Sequence, residues 1–302
     1  MRDSPTVRIM PGGRRLHLQD GPIDLIVEAY GRREQIHEAY DAAARRFITI
    51  LDELCAELPL LRQAAQAKGT RPQGAVARRM VAAVEPYAER CFITPMAAVA
   101  GAVADEILET MTKSTELARC YVNNGGDIAL YLTPGESFFV GMVDRPDRPS
   151  LFGRLRIRTE DSIRGLATSG WRGRSFSLGI ADAVTVLAVD APAADAAATI
   201  IANAVDLPGH PEIVRVPACE IAPDNDLGEL CVTRAVPKLC PGEVQQALAS
   251  GVTVAEDLIS DGLVLAAALH LQGQTRVVPL ASRILDLAAN KSEPTEWRAV
   301  HV

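Results

Sequence analysis

The sequence predicts an α/β (α+β) fold in which packed helices cover a mixed, mostly antiparallel sheet. Three observations carry that expectation. Apolar residues recur at helical spacing early in the chain, the middle turns to short apolar runs broken by Gly and Pro, and Val184–Asn203 reads as a buried strand feeding a helix. No repeat, low-complexity tract or interdomain linker is visible, so residues 1–302 are expected to form one domain with a polar tail from about Asn290.

The elements follow in order. Ile36, Tyr40, Phe47, Leu51, Leu54 and Leu58 place a helix over Glu34–Gln66, bent or ended by Pro59. Pro72 and Gly74 break the polar stretch after it. A second helix is expected over Ala75–Val84, stopped by Pro86, and Thr94-Pro95-Met96 opens a third over Ala97–Met111. Ile128–Leu132 and Phe138–Val143 read as strands, and Thr133-Pro134-Gly135-Glu136-Ser137 between them is a hairpin signal. Arg154–Arg158 alternates Arg with Leu155 and Ile157, predicting one wet and one buried face. Ile163–Ala167 leads to a turn at Gly170. Val184–Val189 is apolar enough to be covered on both faces. Asp190-Ala191-Pro192 then starts a helix, with a capping acid and a Pro in its first turn. Further on come a strand near Leu230–Ala235, a helix over Gly242–Ser250 bounded by Gly251, and another over Val254–Ile259. Two strands, Leu263–Leu271 and Thr275–Leu280, surround Gln272-Gly273-Gln274.

Composition narrows the function classes. The net charge of −7 argues against a protein that grips a nucleic-acid backbone, although a local positive site for a small anion stays compatible. The six cysteines show no CxxC and no zinc spacing, which predicts reduced, buried, apolar-like thiols. The N-terminus has no secretory signal, and no apolar run approaches the roughly 20 residues that span a bilayer. A cytoplasmic protein with no membrane span is expected. There is no GxSxG, GxGxxG or GxxxxGK[ST], and the histidines form no HxxxH pair. His270, inside an apolar run, reads as a core residue.

Three short segments could carry chemistry. Asp195 and Thr199, four apart on a helix, share a face and offer oxygen ligands suited to Mg²⁺ or Ca²⁺. From spacing alone the plainer reading is favoured: an acid in the first turns suits the helix dipole, and Thr199 bonds back to the preceding turn. Asn124-Gly125-Gly126-Asp127 lets backbone approach a ligand, or is simply a tight turn. Thr168-Ser169-Gly170 puts two hydroxyls before Trp171, Arg172 and Arg174, or forms an ordinary turn.

Read in chain order, these pieces are more specific. Asn124-Gly125-Gly126-Asp127-Ile128, Phe139-Val140-Gly141-Met142 with Pro146, Thr168-Ser169-Gly170, and Val184-Thr185-Val186 leading to Ala194–Thr199 together resemble the ApbE superfamily of flavin transferases. Ala97–Asp105 is similar to that family's Gly-containing helix, and the likeness covers about residues 94–205. The run Ser175–Ala188 is similar to a cytoplasmic branch of the same superfamily.

The resemblance implies FAD bound with Mg²⁺ and transfer of its FMN moiety to a Thr or Ser of an acceptor protein, with release of AMP. It implies metal ligands at Asp195 and Thr199 and a backbone carbonyl near Ala97. It also implies a flavin or nucleotide cleft lined by Asn124, Gly125, Gly126, Asp127, Thr168, Ser169 and Gly170. The sequence departs from the family in two places. Trp171–Asp182 contains no His, so that Asp182 either supplies a catalytic carboxylate or is simply a strand-end acid, and Ala100 stands where the family carries Lys. The alternative expectation is therefore a flavin-binding or metabolic-complex protein without transferase activity.

Overall fold

The computed structural model describes residues 4–143, 151–279, 285–287 and 300–301. Strands β1 (Thr6–Ile9), β2 (Arg15–Asp20) and β3 (Ile23–Tyr30) come first, followed by helices α1 (Arg33–Leu61) and α2 (Ala75–Val84). Short 3-10 turns at Glu85–Tyr87 and Pro95–Ala98 precede α3 (Val99–Ser114). Strands β4 (Arg119–Asn124), β5 (Asp127–Leu132), β6 (Ser137–Val143), β7 (Leu151–Arg158), β8 (Gly165–Ser169) and β9 (Ala183–Ala188) make up the middle. Helix α4 (Ala191–Ala204), strand β10 (Val214–Pro217), the single-turn α5 (Ala218–Ile221) and strand β11 (Cys231–Ala235) follow. Then come helix α6 (Pro241–Ser260) and strands β12 (Ala266–Leu271), β13 (Gln274–Val278), β14 (Leu285–Leu287) and β15 (Val300–His301).

The chain forms two compact units, the first from residues 1–137, 158–166 and 189–196, the second from residues 138–157, 167–188 and 197–302. The backbone passes between them inside β6, β7, β8 and α4 and directly after β9.

In the first unit, β1 to β5 pair antiparallel in sequence order, and Gly165 and Leu166 of β8 join β5. One sheet face meets the helices. Leu16, Leu18, Leu25 and Val27 pack with Phe47 and Ile50 of α1, Met80 of α2, and Ile107 and Met111 of α3. Each such side chain contributes roughly 1.5–3 kcal/mol when fully buried. The three helices are also tied by ions. Arg46 of α1 donates through Nε to Glu106 of α3 at 2.7 Å, and Arg79 of α2 pairs with Asp105, Glu106 and Glu109. Tyr40 on α1 accepts the Ala29 amide at 3.1 Å, fixing that helix against β3.

In the second unit, the strand order is β8-β9-β12-β13, with β9 antiparallel to β12 and β12 to β13. All six residues of β9 are buried, as a strand covered on both faces must be. Helix α6 packs against β12 and β13. A smaller sheet has the order β14-β7-β6-β15, and β10 pairs with β11. In β7, Leu155 and Ile157 are buried while Arg154, Arg156 and Arg158 are exposed, matching the alternation. Among the described residues no helix is long and apolar enough to cross a membrane.

The α+β class and the mostly antiparallel sheet are as expected, with β15 on β6 a parallel pair. Several details differ. Three strands precede the first helix where no strand was foreseen, and β4 was missed as well. The 133–137 segment makes no hairpin: β5 pairs with β4 and β8, whereas β6 lies between β7 and β15. Gly251 does not divide two helices. It is buried within a continuous α6, where an added Cβ would lie 2.3 Å from Val205 Cγ2 and 2.7 Å from Leu269 Cδ2, so close packing explains the glycine. The thiols also depart from expectation: Cys120 is buried, but Cys55, Cys91, Cys231 and Cys240 are exposed and Cys219 is half-buried. Cysteine is small enough to be tolerated on a solvent face. The polar tail from Asn290 lies outside the described residues apart from Val300 and His301.

Candidate functional site

In the first unit, three segments converge at the start of α4. Asp190 caps that helix through Oδ1, which accepts the Ala193 amide at 2.8 Å, and Pro192 fills the first turn. Both features are those read from the sequence. Two glycines let other segments approach this helix start. A Cβ on Gly165 would lie 1.9 Å from the Asp190 carbonyl oxygen, and one on Gly101 2.4 Å from that of Ala191. No side chain fits at either place.

This approach brings Asp195 to the beginning of α3. Its Oδ2 accepts the Gly101 amide at 3.0 Å, and the Ala100 amide also bonds to it. An α-helix leaves its first amides without partners, so a carboxylate there is held by both hydrogen bonds and the helix dipole. Asn124, at the end of β4, donates through Nδ2 to the Ala100 carbonyl at 3.1 Å. The β4–β5 hairpin turns through Gly125 (φ 66°) and Gly126 (φ 118°), with Asn124 opposite Asp127. Positive φ at both central positions is what a two-residue hairpin requires. The turn sets Asp127 close enough to Asp195 to matter electrically. Burial pushes the Asp195 pKa well above the ordinary carboxylate value, the negative charge of Asp127 adds to the rise, and the two amides oppose it.

Ala97 lies in the 3-10 turn, with its amide bonded to the Thr94 carbonyl at 3.1 Å. The carbonyl that Asn124 holds is that of Ala100. Thr199 is half-buried, one turn beyond Asp195 on α4. Among the described residues no group of three or more His, Cys, Asp or Glu side chains is arranged to hold a metal ion.

The second unit holds the remaining expected residues. Thr168 on β8 and Thr185 on β9 share a hydroxyl hydrogen bond of 2.8 Å, and Ser169 beside them is half-buried. Gly170 is buried, and the Trp171 amide donates to the Ala181 carbonyl at 3.0 Å. Asp182 is 3% exposed with both carboxylate oxygens engaged. Oδ1 accepts from Arg172 Nε at 2.6 Å, and Oδ2 accepts the Gln272 amide at 2.6 Å. The Arg172 guanidinium thereby lies 4.2 Å over the Trp171 ring, an attractive cation–π arrangement. The Trp171 indole Nε1 is buried and has no hydrogen-bond partner among the described residues. His270 is buried, with Nδ1 on the Thr275 hydroxyl at 2.8 Å, a satisfied core residue as expected.

Sequence reasoning missed Gly101, Gly165 and Gln272, whereas Arg172 was named there, with Trp171, without its link to Asp182. The signal for Gly101 was present in the small-residue run Ala97–Asp105. Gln272 carried none, because its contact with Asp182 spans 90 residues.

These features define an α+β protein with a carboxylate-capped helix start and a Gly-Gly hairpin beside it. The family model described as AbpE bacteria matches residues 7–277, and the chain belongs to that family. A UPF0280 protein of Methanopyrus kandleri is 40% identical over 159 residues, which is 52% of this chain and 61% of that protein. A UPF0280 protein of Methanosarcina acetivorans is 39% identical over 133 residues, 44% of this chain and 49% of the relative. The chain thus spans about half the length of the curated relatives it matches. The crystal structure of Pseudomonas stutzeri flavinyl transferase ApbE in its apo form aligns over 91% of this chain and 94% of that one, at 11% identity and a TM-score of 0.40.

Proposed function

We propose that this chain binds a nucleotide diphosphate, with FAD as the first candidate, together with Mg²⁺ held by Asp195 and Thr199. The observation that carries this reading is the pair of acids Asp195 and Asp127 at the start of α3, with desolvation and mutual repulsion raising the Asp195 pKa. A hard divalent cation relieves both costs, and carboxylate, hydroxyl and carbonyl oxygens are its preferred ligands. Family membership supports a flavin as ligand. When bound, Mg²⁺ would neutralise charge on the diphosphate oxygens.

The protein's own groups would do the rest. The amide-rich start of α3 favours an anion, and the exposed Gly125 turn allows close backbone approach. Asp182 is occupied by Arg172 and Gln272, so its contribution is to hold Arg172 in place. With no His between Trp171 and Asp182, the reading rests on ligand binding, and FMN transfer to an acceptor hydroxyl is its enzymatic extension.

Calorimetry of FAD binding with and without Mg²⁺ tests it. The wild type should bind FAD in a Mg²⁺-dependent way and Asp195→Ala should lose that dependence; equal affinity in both sinks the assignment. Chromatography after long incubation separates the two extensions. FMN and AMP would show turnover, whereas intact FAD would show a binding protein.

A further inference from the structure

The geometry points to a second anion site, separate from the residues above, in the cleft between the 62–74 loop and helix α2: it would take a small phosphate-type oxyanion. The cleft encloses about 500 Å³ and is lined by Gln66, Lys68, Gly69, Arg71, Arg78 and Glu85, among others. That volume is in the range of small-molecule sites, roughly 300–1,000 Å³. Three cations face one acid, in a chain whose net charge is −7. Among the described residues no carboxylate is ion-paired with Lys68, Arg71 or Arg78, and Arg78 donates to the Gln73 carbonyl. The cleft therefore carries an excess of positive charge.

The loop is also pinned at both ends. The Ala65 amide donates to the Ile93 carbonyl at 2.8 Å. At the far end, Glu57 of α1 accepts the Gln73 amide at 2.7 Å and the Gly74 amide at 2.6 Å, and Pro72 is buried. A loop of this length without secondary structure of its own is uncommon unless it serves a binding role. Anchoring reduces the ordering cost when a ligand is engaged. Arginine's planar fork suits phosphate oxygens, and Lys68 adds a point charge.

Isothermal titration of the full chain with pyrophosphate in EDTA tests the site without any divalent cation. Saturable binding is expected in the wild type. Affinity should fall about tenfold or more in Arg71→Gln/Arg78→Gln, as expected for lost phosphate contacts. The single variants Lys68→Gln and Arg71→Gln, which leave the Arg78–Gln73 bond intact, should each weaken binding in the same direction. Because no divalent cation is present, binding that these variants weaken reports this cleft and not the proposed Mg²⁺-dependent nucleotide site, on which the inference does not rest. Absence of saturable binding, or equal affinity in the double variant with an unchanged unfolding midpoint, would overturn the inference. So would a single-stranded oligonucleotide that outcompetes pyrophosphate at the same residues, since that would make the cleft a nucleic-acid surface.

Discussion

The Gly101 amide and the Asp195 carboxylate, 94 residues apart in sequence, meet at 3.0 Å where α4 passes the start of α3. The amide could come from any residue but proline; what requires glycine is the room it leaves for the Ala191 carbonyl. The acid therefore serves the fold through its oxygen and would serve a cation through its charge.

These two roles can be separated. Asp195→Asn keeps an acceptor for the Gly101 amide and removes the charge repelled by Asp127. It should unfold at the same urea concentration as the wild type or higher near neutral pH, while losing Mg²⁺-dependent ligand binding. Asp195→Ala strands the Ala100 and Gly101 amides and should cost about 1–3 kcal/mol. If the Asn variant is as destabilised as the Ala variant, the helix-capping account fails.

The close approaches make a graded prediction. Gly101→Ala would press a Cβ against backbone, 2.4 Å from the Ala191 oxygen, and backbone cannot step aside cheaply. About 3 kcal/mol of destabilisation is expected, at the upper end of overpacking costs. In Gly251→Ala the obstructing atoms are the ends of Val205 and Leu269, which can shift, and Ala gains up to about 1 kcal/mol in helix propensity over Gly. Its net loss should be about 1 kcal/mol. Chemical denaturation of both variants checks the order, and the reverse ranking would refute it.

Stability should also depend on pH through Asp105. Burial pushes its carboxyl up to about 6, against the attraction of Arg79. Because the folded pKa is raised, the stabilisation linked to this group is complete below the unfolded value of about 3.9 and is lost as pH rises through about 6. Asp105→Asn imitates the protonated form. The variant should match the wild type in acid and exceed it near neutrality, by up to about 3 kcal/mol for a shift of this size. Thermal melts across that interval decide the matter; a variant less stable than the wild type at neutral pH would show that the Arg79 pair outweighs burial.

Legibility in the sequence followed the range of the interactions. The bounds of α2, the cap and proline of α4, the burial of β9 and the alternation in β7 were all readable, because each depends on neighbours within a few positions. The early strands β2 and β3 were not: they are short, mix His, Asp and Glu with apolar residues, and owe their burial to α1 packing over them. The hairpin forecast at 133–137 failed because a turn signal fixes where a chain bends, not which strand it returns to.

For the site, the sequence by itself determined which residues carry suitable oxygen atoms, Asp195, Thr199 and Asp127, and their order along the chain. A four-residue spacing on a helix and a Gly-Gly turn are local facts. The tertiary structure alone decided that Asp195 faces the start of α3 and the charge of Asp127, and that Asp182 is committed to Arg172 and Gln272. Apart from the Asp182–Arg172 pair, ten residues apart, those relationships join segments 68 to 94 residues apart, and no local spacing encodes them.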